Sequence, residues 1–445
     1  MKAYLTTALL AGFIAASCVA CSSETSTDPP PTRYTLTVQI APTGSGTVAV
    51  SPSGTQFTSG ASVTLTATAA SGYAFDKWTG DATGAANPTT VTMSGNKTVT
   101  ANFSASTVDM YLAYVTNYTS GSISAYAVDT ATGALTEVAG SPFIAGTTPA
   151  CIAIDPTNAF AYVVNVFDNT ISAFTIGSTG ALTAIAGSPF AAGVEPFFVS
   201  VHPGGKFAYV ANSGSANISA YAIDPTTGVL TAVAGSPFAA GTAPFSIAVD
   251  PAGKCAYVAN SGTGDVSVYA IDPTTGGLTA ISGSPFAAGD EPYSIAIDPS
   301  GKFAYVANRF AGHVSAFSID AGTGALTEIG DSPYASGTDP FSVSVDPTGK
   351  FVYVANFGDN AVSAYAINPA TGGLTAVTGS PYATGTWPFS VAIDPAGRFA
   401  YVTNWGSDNI SAYAIDSATG ALTEIAGSPF ASIGPAGMII IHLTR

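Results

Sequence analysis

Short, largely apolar runs bounded by polar turn residues fill most of this chain. Stretches such as SIAID, FAYVAN and ISAYAI have the length and composition of strands and not helices, while YTLTVQI and KTVTANF, nearer the start, alternate with a period of two. Turn residues separate the runs. In DPxGK and DPTTG an Asp accepts backbone N–H bonds, a Pro fixes φ and a Gly suits positive φ, so both predict hairpins. The runs also recur. Asn117, Asn165, Asn212, Asn260, Asn308, Asn356 and Asn404 each close a YVTN-like motif, at spacings of 48, 47, 48, 48, 48 and 48. A fixed period in this range marks an array of one unit.

Each unit reads as four strands, and seven units of four strands predict a seven-bladed β-propeller over residues 105–445. The runs are apolar on both faces because each blade lies between two others. The array starts on a second-type strand, YLAYVTN, and ends on a first-type strand, GMIIIHLTR. The last strand is therefore expected to complete the first blade, which removes the exposed edges of an open ring. A closed ring also removes one reason to oligomerise, so a monomer is expected.

Residues 33–104 break the period. YTLTVQI, GTVAVSP, ASVTLTATA, YAFDKWTGD and KTVTANF predict a second, small all-β domain with Trp78 and Phe75 in its core. Residues 21–32 are polar and Pro-rich and are read as a disordered tether. Residues 1–20 carry Lys2 and an apolar run from Ala3 to Ala16, too short to span a bilayer, and are read as an export signal.

Only 9% of residues are charged and the formal net charge is -16. Eleven Lys and Arg in an acidic chain argue against nucleic acid and against anionic membrane surfaces. Cys255 stands where sister repeats hold Phe, so it reads as a small buried apolar residue. Neither a disulfide nor a metal site is expected from Cys151 and Cys255.

The YVTN repeats, the GSPF connections and the seven-unit length resemble the lactonase-type seven-bladed propeller family, over residues 105–445. The resemblance implies a lactone hydrolase, although the family includes exported proteins without established activity. Residues 33–104, with GYAFDKWTGDATGAANPTTVTMSGNKTVTANF, resemble the divergent internalin-type B repeat of bacterial surface proteins, implying a spacer or adhesion module. SCVACSS resembles a lipoprotein lipobox. Cys21 fits best as the lipidated residue, Cys18 is the rival, and an ordinary cleaved signal peptide is the alternative. All place the protein outside the cytoplasm, and the favoured lipidated reading places it in the bacterial cell envelope, at the outer membrane or cell surface, touching membrane only through the anchor.

Seven equivalent asparagines read as architecture, bonding the following loop's backbone and tolerating left-handed geometry. Chemistry is then expected where repeats differ. If the first strand of each blade lines the channel, the loops before it and after YVxN share one face, here the upper. Lys206, Lys254, Lys302, Lys350 and Arg398 lie in lower turns, and Arg309 is the only base above. Before the Pro that opens each first strand stand Thr148, Glu195, Ala243, Glu291, Asp339, Trp387 and Gly434. After it, Phe197, Phe245, Tyr293, Phe341 and Phe389 suggest an aromatic lining, with inter-blade packing as the plainer role of most. Asp290 adds a carboxylate. Blade 5 departs furthest, with Arg309, Phe310 and His313, and blade 7 carries Trp405. Glu195, Glu291, Asp339, Trp387, Arg309 and Trp405 are the candidate ligand-binding residues. His202 and His442 fall at lower strand ends and read as structural. No metal-ligand spacing, phosphate loop, dinucleotide fingerprint or Ser-His-Asp arrangement is evident, so no cofactor is expected.

Two functions fit. The favoured expectation is a lipid-anchored binding, scaffold or adhesion module whose upper face takes glycans or a cell-surface partner. The alternative is hydrolysis of a non-phosphorylated sugar lactone, with Glu291 or Asp339 as general base and Arg309 or His313 stabilising the oxyanion.

Overall fold

The computed structural model describes residues 31–70, 73–105 and 109–444. The export signal, most of the tether and the Cys21 lipidation position lie outside the described residues. The chain divides into two compact units at residues 106/107.

The first unit is two small sheets. Arg33–Ala41, Gln56–Thr58, Tyr73–Gly80 and Lys97–Ala105 form one; Gly46–Ser51, Ser62–Ala69 and Thr89–Thr92 form the other. Trp78 is buried in its core. The indole N–H donates to the Ala86 carbonyl at 3.0 Å, and Phe75 packs 5.1 Å away. With its face and its donor both committed, Trp78 is a core residue.

The second unit is seven sheets, one per blade, numbered by their YVxN asparagines. Blade 5 shows the pattern. Pro292–Ile297 lines the channel and pairs antiparallel with Phe303–Asn308, which pairs with His313–Ile319. The predicted single outer strand is broken into Leu326–Glu328 and Tyr334–Ala335, both paired to His313–Ile319. A Ser-Pro turn interrupts it, and the Ser332 hydroxyl accepts the Ala316 N–H that the ladder leaves unpaired. The ring closes as expected, with Pro435–Thr444 lying antiparallel to Asp109–Asn117.

The YVxN motif holds the ring together. Each tyrosine is fully buried and donates to the carbonyl of the DPTTG-type glycine in the next blade. Tyr305 bonds Gly372 at 2.9 Å, and Tyr401 bonds Gly133, carrying the series across the closure. Each such bond is worth about 1 kcal/mol. The asparagines behave differently from expectation. They lie in extended strand, Asn404 at φ -111. Their amides donate to the serine hydroxyl seven residues on, as Asn308 does to Ser315 at 2.9 Å. They thus tie the second strand to the third. Gly289 abuts this amide so closely that a Cβ would stand 2.6 Å from Asn308 Cγ.

Lower turns use Asp as expected. Buried Asp298 accepts the Lys302 and Phe303 N–H groups at 2.7 Å each. His202 replaces that Asp in blade 3, its Nδ1 accepting the Gly204 N–H. His442 stacks on Tyr111 and pairs with Asp109. Both histidines are structural. Cys151 and Cys255 are buried free thiols.

Candidate functional site at the upper mouth

The variable residue before each opening Pro takes left-handed backbone in all seven blades. Thr148, Glu195, Ala243, Glu291, Asp339 and Trp387 have φ between 50 and 61, and Gly434 has 57. Only one of the seven is glycine, so six side chains sit in a sparsely populated conformation. The cause is pairing. The carbonyl of each rim residue accepts the N–H of the residue after the YVxN asparagine: Glu291 from Arg309 at 2.8 Å, Asp339 from Phe357 at 2.9 Å, Trp387 from Trp405 at 3.0 Å. The backbone is thereby fixed without use of the rim residue's own side chain. Each blade so presents one rim residue beside one loop residue, whatever their types.

On blade 5 these two are Glu291 and Arg309. Arg309 Nη1 lies 3.6 Å from Glu291 Oε2, and its Nε lies 3.9 Å from Asp339 Oδ1 of blade 6. The guanidinium also stands over the rings of Tyr293, Phe310 and Phe341 at 5.6, 5.3 and 5.5 Å. Both ion pairs exceed hydrogen-bond length. Glu291 Oε2 and Arg309 Nε are buried with no hydrogen-bond partner among the described residues. Buried polar atoms are seldom left so. Burial raises the Glu291 carboxyl above its ordinary value; Arg309 opposes the shift, while Asp290 and Asp339 add to it.

Beneath the cluster, Phe197, Phe245, Tyr293, Phe341 and Phe389 close over the channel. Neighbours lie 4.1–4.7 Å apart, and Phe197 meets Phe389 of blade 7 at 6.4 Å. They therefore form a plug and not separate inter-blade fillers. A cavity of about 380 Å³ lies at the axis, lined by first strands from every blade. Tyr293 is the only phenol among the five, and burial raises its pKa.

The structure sorts the candidates. Glu291, Arg309 and Asp339 come together. Trp387 and Trp405 lie 5.6 Å apart and form a second, aromatic part of the mouth. Glu195 is exposed; its charge raises Tyr118, already raised by burial. His313 is a correction. Its Nδ1 faces the Asn308 amide at 3.0 Å, in the place where blades 1–4 and 7 put a hydroxyl, amide or carboxylate oxygen. That amide donates, so Nδ1 accepts, and burial lowers the pKa of the ring. His313 thus serves the blade's own network. Two mouth residues, Phe357 and Tyr118, escaped the sequence reading, which names Tyr293 for its ring and not for its hydroxyl. The signal was available, since Tyr293 replaces a Phe of its sister blades, and the other two directly follow a YVxN asparagine. Among the described residues no cluster of three metal-ligating side chains occurs.

The four-stranded blades, their number and the rim-and-loop mouth define a seven-bladed propeller of the lactonase type. Residues 109–432 match the lactonase, 7-bladed beta-propeller family, and the chain belongs to it. Residues 36–107 match the divergent InlB B-repeat domain. The fold is similar to that of a candidate 6-phosphogluconolactonase from Bacteroides uniformis, with TM-score 0.67 and 21% identity over 75% of this chain and 99% of that one. It is also similar to the periplasmic gluconolactonase of Pseudomonas aeruginosa, with TM-score 0.65 and 22% identity over 75% and 99%. No curated protein matches the chain. Family membership favours the hydrolase alternative over the binding module, and it does not support the expectation against catalysis.

Proposed function

We propose that the protein hydrolyses a lactone at the upper mouth of the propeller. The observation that carries this reading is the convergence of Glu291, Arg309 and Asp339 above the aromatic plug, with buried polar atoms of Glu291 and Arg309 unpaired. Glu291 is the general base. Water adds to the lactone carbonyl carbon and gives its proton to Glu291. The carbonyl oxygen becomes an oxyanion that the Arg309 guanidinium stabilises. The ring C–O bond then breaks, and the ring oxygen takes the proton back from Glu291, leaving a hydroxy acid. A carboxylate with a raised pKa is a stronger base than an ordinary one. Asp339 holds Arg309 from the far side. The family and the names borne by its structural neighbours support the reaction class.

The substrate is a neutral lactone. A phosphate would meet Glu195, Asp290, Glu291 and Asp339 with a single Arg, already flanked by two carboxylates. An envelope location fits such a substrate, and loss of palmitate labelling in Cys21→Ser tests it.

One observation favours a second reading, partner docking without turnover. Phe167, Val194, Phe310, Trp387 and Ile433, five of the exposed large apolar side chains, all lie in upper-face loops. Steady-state hydrolysis of gluconolactone and 6-phosphogluconolactone decides between the readings. The proposal expects turnover of the neutral lactone, lowered about 100-fold or more in Glu291→Gln. No turnover above buffer on either lactone contradicts it and leaves docking.

A further inference from the structure

The mouth continues beyond the charged cluster. Phe341 lies under Arg309 and 5.3 Å from Phe357. Phe357 lies 5.8 Å from Trp387 with ring planes 9° apart. Trp405 stands 5.6 Å from Trp387, and Tyr118 meets Trp405 edge-on at 6.1 Å. The track thus runs from the guanidinium across blades 6, 7 and 1. The fold does not require it. Sister blades place Thr, Glu, Ala, Asp or Gly, and no aromatic residue, at the rim position of Trp387. Trp387 keeps a left-handed φ of 56 and remains 49% exposed. An indole held half in water, in strained backbone, beside a carboxylate rim is suited to the apolar face of a sugar ring whose hydroxyls need acceptors.

We propose that this track is a glycosyl subsite. The substrate is then an aldonolactone bearing a sugar substituent: the lactone ring sits at Glu291 and Arg309, and the pendant pyranose stacks on Trp387 and Trp405. The inference rests on the hydrolase reading for its lactone end, and its sugar end is tested separately.

The test compares kcat/KM for gluconolactone, cellobionolactone and maltobionolactone on the full chain. One of the extended lactones is expected to be preferred about tenfold, the worth of one good aromatic stack. That ratio falls to near parity in Trp387→Ala and in Trp405→Ala. A second arm uses cellobiitol and maltitol, which have no lactone, and reads tryptophan fluorescence. Trp387 and Trp405 are two of the three tryptophans, and the third, Trp78, is buried in the other unit. Saturable quenching that Trp387→Ala abolishes, without hydrolysis of any lactone, supports the subsite and removes the hydrolase reading. Hydrolysis with no preference and no quenching overturns the subsite and leaves the hydrolase reading standing. A preference or quenching untouched by both substitutions also overturns it.

Discussion

The two faces of the propeller are opposite ends of the same strands, yet they use side chains differently. At the lower face nearly every turn residue answers a backbone need. Asp298 accepts the N–H groups of Ser300, Lys302 and Phe303, the Tyr305 hydroxyl donates to a carbonyl in the next blade, and near-copies recur around the ring. At the upper face the loop after YVxN supplies the acceptors, as Asn360 does for the Trp387 N–H and Asp359 for the Thr338 N–H, and each rim carbonyl accepts the loop N–H opposite it, so the rim residue's own side chain is not needed by the backbone. The rim side chain is then free to be Thr, Glu, Ala, Asp, Trp or nothing. A repeat fold can therefore keep its architecture constant and vary its chemistry at one position per blade, provided that position tolerates left-handed backbone.

The largest break in this contrast comes from the closure. Deleting residues 436–445 removes a full strand with buried Met438, Ile440, Ile441 and Leu443. At about 1.5–3 kcal/mol for each of these four large buried side chains, the loss of about 6–12 kcal/mol is comparable to the whole stability of a typical domain, so the ring is expected to lose cooperative thermal unfolding. Unfolding at the wild-type temperature would contradict the closure. Next come substitutions of the mouth. Arg309→Met is expected to lower kcat about 100-fold or more with little change in melting temperature. It also sharpens the role of Glu291. A base works deprotonated, so activity rises with pH through the raised Glu291 pKa. Removing the cation that opposes the shift moves that limb of the kcat/KM profile to higher pH. An unmoved limb would take the role from Glu291. At the lower face, Asp298→Ala strands the buried Phe303 N–H and the part-buried Ser300 and Lys302 N–H groups, and is expected to cost about 2–3 kcal/mol in denaturant unfolding with catalysis intact. Asp339→Gly, at the upper rim with φ 52, is expected to change stability by less than about 1 kcal/mol. Tyr305→Phe, which removes one inter-blade bond at the lower face, is expected to cost about 1 kcal/mol in the same unfolding measurement.

Much of this was legible without coordinates. The period of the asparagines counts the blades, the odd strands at either end predict the closure, and the DPxGK turns separate the faces. What escaped is geometry that a repeat hides by being common to all copies. Asn308 reads as a left-handed loop residue from its type, but the register places it in a strand and passes positive φ to the rim. Equivalent positions such as Phe197 and Phe389 share a repeat phase, which says nothing of their distance from the axis. Their meeting across the channel needed the ring to be closed in space. His313 misled for a related reason. It departs from its sister residues, and yet its Nδ1 does the same work for Asn308 as their oxygens do.

The central claim is that chemistry sits where blade 5 departs from its neighbours. It is tested most directly by rewriting blade 5 as blade 4 at the mouth. Glu291→Ala, Tyr293→Phe and Arg309→Ser install the residues found at Ala243, Phe245 and Ser261. Lactone hydrolysis is predicted to fall to the buffer rate in this triple variant, while its melting temperature stays within about 4 °C of wild type. Turnover that survives the exchange would contradict the claim and move the site off blade 5.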